Sequence, residues 1–341
     1  MPDLFPIALG RSRAAVALIL LFGCALLCPL NQARAWDLVE HEKRDYISVS
    51  SIVEFYGFQK EVDGKHVWLR SPSIVVKGTV GSQSLLINQI KFILSYPLLA
   101  LDGQLLVSRL DLCKLIDPVI RPRFIRNAQP FKTVIIDPGH GGHDSGAGGA
   151  YGSEKEFALK LAHQLKTHLE PKGFKVVFTR DGDYYLTLAE RVAVANKHKD
   201  AIFVSLHFNY GGSAASGIET FALSPYGAES TINGPANSDY RSFAGNQRDS
   251  ENIALATAVH ASVLKNARVV DRGIKRARWA VLKGINMPAI LFEGGFLTNK
   301  AECKKVADPA YREVLAGSIA DAIGNFRAAL TSPAARVESG G

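Results

Sequence analysis

The chain has 341 residues, 47% hydrophobic and 21% charged, a globular balance that excludes a disordered or fibrous chain. Its formal net charge of +8 suits an anionic partner, yet no dense Lys/Arg block interleaved with aromatics is present, which argues against nucleic acid. The four cysteines do not supply the two closely spaced pairs of a zinc finger.

Arg11 and Arg13 precede an apolar run from Ala14 to Leu27, and Ala33-Arg34-Ala35 offers a small-x-small cleavage site before Trp36. Residues 1–35 therefore read as an export signal, with periplasm or cell envelope as the destination. The run is short for a spanning helix, and an N-terminal anchor is the alternative. Leu21-Phe22-Gly23-Cys24 loosely matches a lipoprotein cleavage box, which leaves lipidation at Cys24 open. Cleavage after Ala35 would leave Cys113 and Cys303. Export permits a disulfide, but the two fall in different expected domains, so none is expected.

Residues 36–121 show short alternating runs. Asp63-Gly64 and Asp102-Gly103 mark hairpin turns. Tyr46 to Ser50 leading into Ile52-Val53 is echoed by Leu105 to Ser108 leading into Leu110 and Leu112. Each copy reads as a strand, a Ser cap and a short helix. In pattern this module resembles the small β-rich domain named after the N-terminal domain of copper amine oxidases. Only His41 and His66 are plausible ligands there, so no copper chemistry is implied.

Arg121-Pro122-Arg123 and Asn127 to Pro130 set a linker over 122–130. From 131 to 330 strands alternate with helices. Val134-Ile135-Ile136 is a buried strand ending in Asp137-Pro138-Gly139-His140-Gly141-Gly142. Ser153 caps a helix and Glu156 completes its capping box, with Phe157, Leu161, Leu165 and Leu169 on one face. A strand at 175–178 follows. Thr187 and Glu190 box the next helix, with Leu188, Val192 and Ala195 inward. A strand runs from Ala201 into His207, and another over 217–223. Residues 224–250 lack periodicity and read as a loop that borders the cleft without plugging it with a helix. A helix over 253–264, a short strand at Trp279 to Leu282, a strand from Ala289 into Glu293 and a closing helix with Val314, Ile319, Ile323 and Phe326 complete the domain. A disordered tail is expected over 331–341. The expected fold class is α/β, a mostly parallel sheet with helices on both faces, preceded by a small β-rich α+β domain.

Ligands in open α/β sheets bind outside the carboxyl ends of strands. Three strands here end in ionisable groups, at His140, His207 and Glu293. Two histidines and one carboxylate with an open position suit a catalytic zinc. Glu154 lies in the first turn of its helix, after the glycine-rich loop that starts at His140. Glu156 is already engaged in the cap, which favours Glu154 as the third ligand. Glu293, beside two glycines, is either a general base next to the ion or a buried carboxylate accepting backbone N–H groups. Nothing marks His143, His163 or His260 as ligands. Arg191 is expected to pair with an acid on its own helix or a neighbour. Asn209 would either bond substrate or hold a loop.

Several ordered motifs then carry a resemblance over about 132–328. They are Ile136 to Gly142, Gly152 with Glu154-Lys155, Thr179-Arg180, Leu188 with Arg191 and Asn196, Ser205 to Asn209, and Phe292 to Asn299. Together they closely resemble the zinc-dependent N-acetylmuramoyl-L-alanine amidases of the amidase-3 type. The resemblance implies one Zn2+ held by His140, Glu154 and His207, and Glu293 as catalytic carboxylate. It implies hydrolysis of the amide between N-acetylmuramic acid and L-alanine in peptidoglycan. Residues 36–121 would be a structural or wall-binding appendage, the chain a monomer, and an envelope protein a possible activator. The substrate-binding residues are not identified. A zinc peptidase and a non-catalytic wall-binding protein are the rival readings.

Overall fold

The computed structural model describes residues 36–126 and 128–331. The expected signal segment with Cys24 and Cys28, Asn127 of the linker and the tail 332–341 lie outside the described residues. No helix among the described residues is long and apolar enough to cross a membrane.

The first half is built from hairpins. β1 (Leu38–His41) and β2 (Arg44–Ser48) pair antiparallel. Ser48 Oγ then accepts the Ser51 N–H at 3.1 Å, which starts α1 (Val49–Tyr56). β3 (Gln59–Asp63), β4 (His66–Arg70), β5 (Val75–Thr79), β6 (Ser84–Ile87) and β7 (Ile90–Ile93) form an antiparallel meander. β8 (Leu99–Leu101) turns into β9 (Gln104–Ser108) through Asp102-Gly103, with φ of 49° and 76°, the backbone that a tight hairpin requires. Ser108 repeats the Ser48 cap before helical turns over 109–120. β2 and β9 pair, so the two echoed segments lie side by side in the sheet β1-β2-β9-β8.

The second half supplies β10 (Thr133–Pro138), β11 (Lys175–Phe178), β12 (Ala201–Asn209), β13 (Ile218–Leu223), β14 (Asp271–Ala277) and β15 (Ala289–Phe296). Its helices are α2 (Glu154–Leu169), α3 (Leu188–Asn196), α4 (Asp249–Ala267), α5 (Ala280–Gly284), α6 (Lys300–Ala307) and α7 (Pro309–Thr331). Side chains of a strand alternate between faces. Val134 and Ile136 therefore pack with Leu161, Leu165 and Ile319 of α2 and α7. Ile135 and Phe203 pack with Ala195 and Leu282 of α3 and α5. The cores on the two faces of these strands thus come from one alternating pattern.

The strands form one eleven-stranded sheet in the order β11-β10-β12-β15-β13-β14-β7-β6-β5-β4-β3. It is mixed, which corrects the expected mostly parallel sheet. β13 runs antiparallel to β15, and the β3–β7 meander continues the same sheet through β7 beside β14. Neither fact has a local signature, because strand direction depends on pairings far apart in sequence. Other differences are local. Residues 280–284 are helical where a strand was expected, since so short an apolar run has no distinguishing period. β14 escaped notice because Asp271, Arg272, Lys275 and Arg276 mask its alternation. Leu188, expected inward, is exposed, as is Val314 of the closing helix. The 224–250 segment holds only two short 3-10 turns, at Asn237–Tyr240 and Ala244–Arg248, before α4 begins at Asp249. It faces the first half, where Tyr96 Oη donates to Gly227 O at 2.7 Å and Arg44 lies 3.6 Å from Glu229.

A buried ion pair crosses the β7–β14 junction. Arg276 donates to Asp111 and, at 2.6 Å, to Ser95 Oγ. Asp111 also accepts the Ser95 and Tyr96 N–H groups. Both charges are almost fully buried. Removing one partner of such a pair strands the other. Asp111→Ala should therefore lower the unfolding free energy by about 3 kcal/mol or more in urea denaturation. An unchanged midpoint would contradict this role. Cys113 is exposed and Cys303 buried, and both are free thiols.

Candidate metal centre

The end of β10 is held by two buried arginines. Arg191 Nη1 donates to Asp137 Oδ1 at 2.8 Å and to Pro138 O at 2.7 Å, and Nη2 donates to His140 O at 2.6 Å. Arg180 Nε donates to Pro138 O and Nη2 to Gly139 O. Thr179 and Ser205 donate to the two oxygens of Asp137 at 2.6 and 2.7 Å. Burial disfavours the Asp137 charge, but Arg191 and these hydrogen bonds outweigh it and hold the carboxyl below its usual range. Asp137 is thus spent on fixing the loop. Of the two expected partners for Arg191, an acid on its own helix or on a neighbour, the structure supplies the second, at the end of the neighbouring strand β10.

Fixed in this way, the loop turns at His140, whose φ is +60°. His140 Nδ1 lies 2.8 Å from Asp144 Oδ2, so Nε2 is left to face inward. Glu154 is the first residue of α2. Its Oε2 accepts the Ala147 N–H at 2.8 Å, and its Oε1 accepts the Phe208 N–H at 3.2 Å. Oε1 also lies 2.8 Å from His207 Nδ1 and 3.1 Å from His140 Nε2. Glu156 Oε2 instead accepts the Ser153 N–H at the helix cap. One ligand atom each from His140, Glu154 and His207 falls within 4.8 Å of the others. Burial opposes the Glu154 charge, but hydrogen bonds from both histidines prevail and hold it ionised well below the carboxylate range. Burial lowers the proton affinity of His140, and Glu154 and Asp144 more than reverse that.

This donor set fits a zinc ion. Two imidazole nitrogens and one carboxylate oxygen converge, and the second nitrogen of His140 has a carboxylate partner, as ligating histidines commonly do. The backbone leaves no room for alternatives. A Cβ on Gly139 would lie 2.3 Å from His207 Cε1, and one on Gly146 would lie 2.5 Å from Glu154 Oε2. Gly139→Ala should displace the His207 ring and weaken metal binding about 10- to 100-fold, the range seen when a ligand loses its support. Zinc titration with a chelating indicator checks this, and wild-type affinity would contradict it.

Glu293 stands directly opposite His207 of β12 on one side and Glu219 of β13 on the other. The residue is partly exposed, but its Oε2 is buried with no hydrogen-bond partner among the described residues. Burial, then repulsion from Glu154 and Glu219, push its proton affinity well above the usual glutamate range, with Lys275 opposing. A cavity of about 280 Å³ opens beside His140 and His207, walled by Tyr185, Leu186, Leu188 and Val281.

Other expectations resolve in the same region. Asn209 Nδ2 donates to Glu219 Oε2 at 3.1 Å and its Oδ1 accepts the Tyr210 N–H, so it holds the protein's own structure. His143 is exposed against Tyr185, His163 is exposed near Asp181, and His260 is buried between Thr220 and Asp271. None joins the cluster. Sequence reasoning passed over Asp144 and Glu219. The four-residue step from His140 was a signal for Asp144, whereas Glu219 had none.

Comparison with known proteins places the second half of the chain in a family. The family model described as N-acetylmuramoyl-L-alanine amidase matches residues 134–325. An uncharacterized protein, YqiI, of Bacillus subtilis (strain 168) is 33% identical over 195 residues, covering 57% of this chain and 84% of the relative. The N-acetylmuramoyl-L-alanine amidase AmiA of Escherichia coli (strain K12) is 30% identical over 221 residues, covering 56% and 75%. Among solved structures, the catalytic domain of CwlV from Bacillus (Paenibacillus) polymyxa var. colistinus is 32% identical. It covers 57% of this chain and 98% of that one at a TM-score of 0.48.

Proposed function

Because the chain belongs to the N-acetylmuramoyl-L-alanine amidases, hydrolases that act on peptidoglycan, we propose that it is an exported, zinc-dependent enzyme of the periplasm or envelope. In this reading His140, Glu154 and His207 hold the ion and Glu293 moves the proton. The observation that carries it is the meeting of three ligand atoms within 4.8 Å beside a carboxyl whose Oε2 is buried and unpartnered. When bound, zinc supplies a Lewis acid that polarises the amide carbonyl, acidifies water and offsets the repulsion between Glu293 and its carboxylate neighbours.

The chain's own residues do the rest. Glu293 takes the proton of the attacking water and returns it to the L-alanine nitrogen as the C–N bond to the lactyl carbonyl breaks. Arg180 and Arg191 keep the His140 loop from shifting. Asp144 orients the His140 ring. The Tyr185, Leu186, Leu188 and Val281 wall limits water around the reacting amide.

Elemental analysis of the purified chain, with turbidity of purified sacculi as the activity readout, tests the reading. The expected result is one zinc per chain and a fall in turbidity that chelation abolishes and zinc restores. A chain that binds sacculi without dissolving them, zinc-loaded, is a wall-binding protein.

A further inference from the structure

Beyond Glu293 the rim carries a cation that the proposed chemistry does not use. Arg272, near the start of β14, donates from Nε to Glu219 Oε1 at 2.8 Å, and its guanidinium carbon lies 4.7 Å from the centroid of the Phe296 ring. Glu219 is buried and is held in turn by Lys275 Nζ at 2.7 Å and Asn209 Nδ2 at 3.1 Å. Neither Nη atom of Arg272 has a hydrogen-bond partner among the described residues, and its side chain is 37% exposed. An ordinary surface ion pair is worth little. This one pins a guanidinium at Nε and supports its face while leaving the outer fork unused. That is a pre-organised receptor for a planar carboxylate.

Its place along the rim matters as much. The strand order sets His140 after β10, His207 on β12, Glu293 on β15, Glu219 on β13 and Arg272 on β14. With strands about 4.8 Å apart, the backbone of Arg272 lies about 10 Å beyond that of Glu293, and its guanidinium reaches back to Glu219 and the Phe296 ring. The exposed Tyr184, Tyr185 and Leu188 lie at the opposite end, against the loop after β10. One end of the rim is thus aromatic and apolar, and the other presents a fixed cation.

We propose that Arg272 is a specificity-determining residue that binds a carboxylate of the stem peptide, on its second or third residue. The inference rests on the amidase reading, because cleavage at the lactyl–alanine amide places a sugar on one side of the centre and a peptide on the other. Sugar rings suit tyrosine faces, and the peptide carries the carboxylates. An extended peptide advances about 3.4 Å per residue, so its second or third residue reaches Arg272.

Steady-state kinetics on two soluble muramoyl peptides test this. One has free carboxylates on residues two and three, and the other has them amidated. The zinc-loaded wild type should prefer the free acid by about tenfold in KM, the scale of one charge-assisted hydrogen-bonded pair. Arg272→Ala should reduce that preference to within about twofold, with the change in KM and not in kcat. Arg272→Lys keeps a cation against Glu219 and removes the fork, so it should fold and lose most of the preference. A preference that survives both substitutions, or is absent in the wild type, overturns the proposal. Cleavage of neither compound by the wild type overturns the amidase reading and this inference with it.

Discussion

Glu293→Gln should slow wall hydrolysis by about 10³-fold or more while leaving zinc bound. The substitution keeps shape and removes only the ability to take a proton. Glu293 is not one of the three clustered donors, so metal content should match the wild type. Stability should move the other way. The folded carboxyl holds its proton more tightly than the unfolded one, because it is buried and lies near Glu154 and Glu219. Stability of the metal-free wild type therefore falls as pH rises from the unfolded value through the raised folded one. Gln escapes that loss. The metal-free variant should melt at least as high as the wild type at neutral pH, and the difference should vanish as pH drops below the usual glutamate range. Sacculus hydrolysis, metal analysis and melting curves check the three parts. Full activity in the variant would remove Glu293 from the mechanism.

His207→Ala should weaken zinc binding by more than about 100-fold, since loss of even an outer partner of a ligand costs 10- to 100-fold. The side chain lies in line with Gly139 and Glu293 across the rim, and no neighbouring histidine can replace it. His143 points to Tyr185 and His260 is locked between Thr220 and Asp271. Glu154 would retain His140, the Ala147 N–H and the Phe208 N–H, so the loop should keep its shape. Calorimetric zinc titration should show the loss with little change in far-ultraviolet circular dichroism. Unchanged zinc affinity would point to a different ligand set.

The rim was legible in the sequence where chemistry and local structure coincide. His207 and Glu293 each follow the apolar run of a strand that continues to Asn209 or Phe296, and both the capping box at Ser153 and the separation of Glu154 from Glu156 are local facts. The supports were not legible, because they join residues far apart. Asp137 meets Arg191 across 54 positions, and Glu219 meets Glu293 only through an antiparallel pairing that no periodicity announces. The same limit hid the fused sheet. Phe92 beside Ile274, and Asp111 against Arg276, join two halves whose composition reads as separate. Charged β14 was missed for the reason that makes it interesting. Its polar side chains serve the rim and the junction.

The N-terminal residue of the peptides released from purified sacculi tests the amidase assignment most directly. The zinc-loaded chain should release peptides that begin with L-alanine and leave glycan strands with free lactyl ends. Peptides that begin at an interior residue, with alanine still joined to the sugar, would make the chain a peptidase and contradict the assignment.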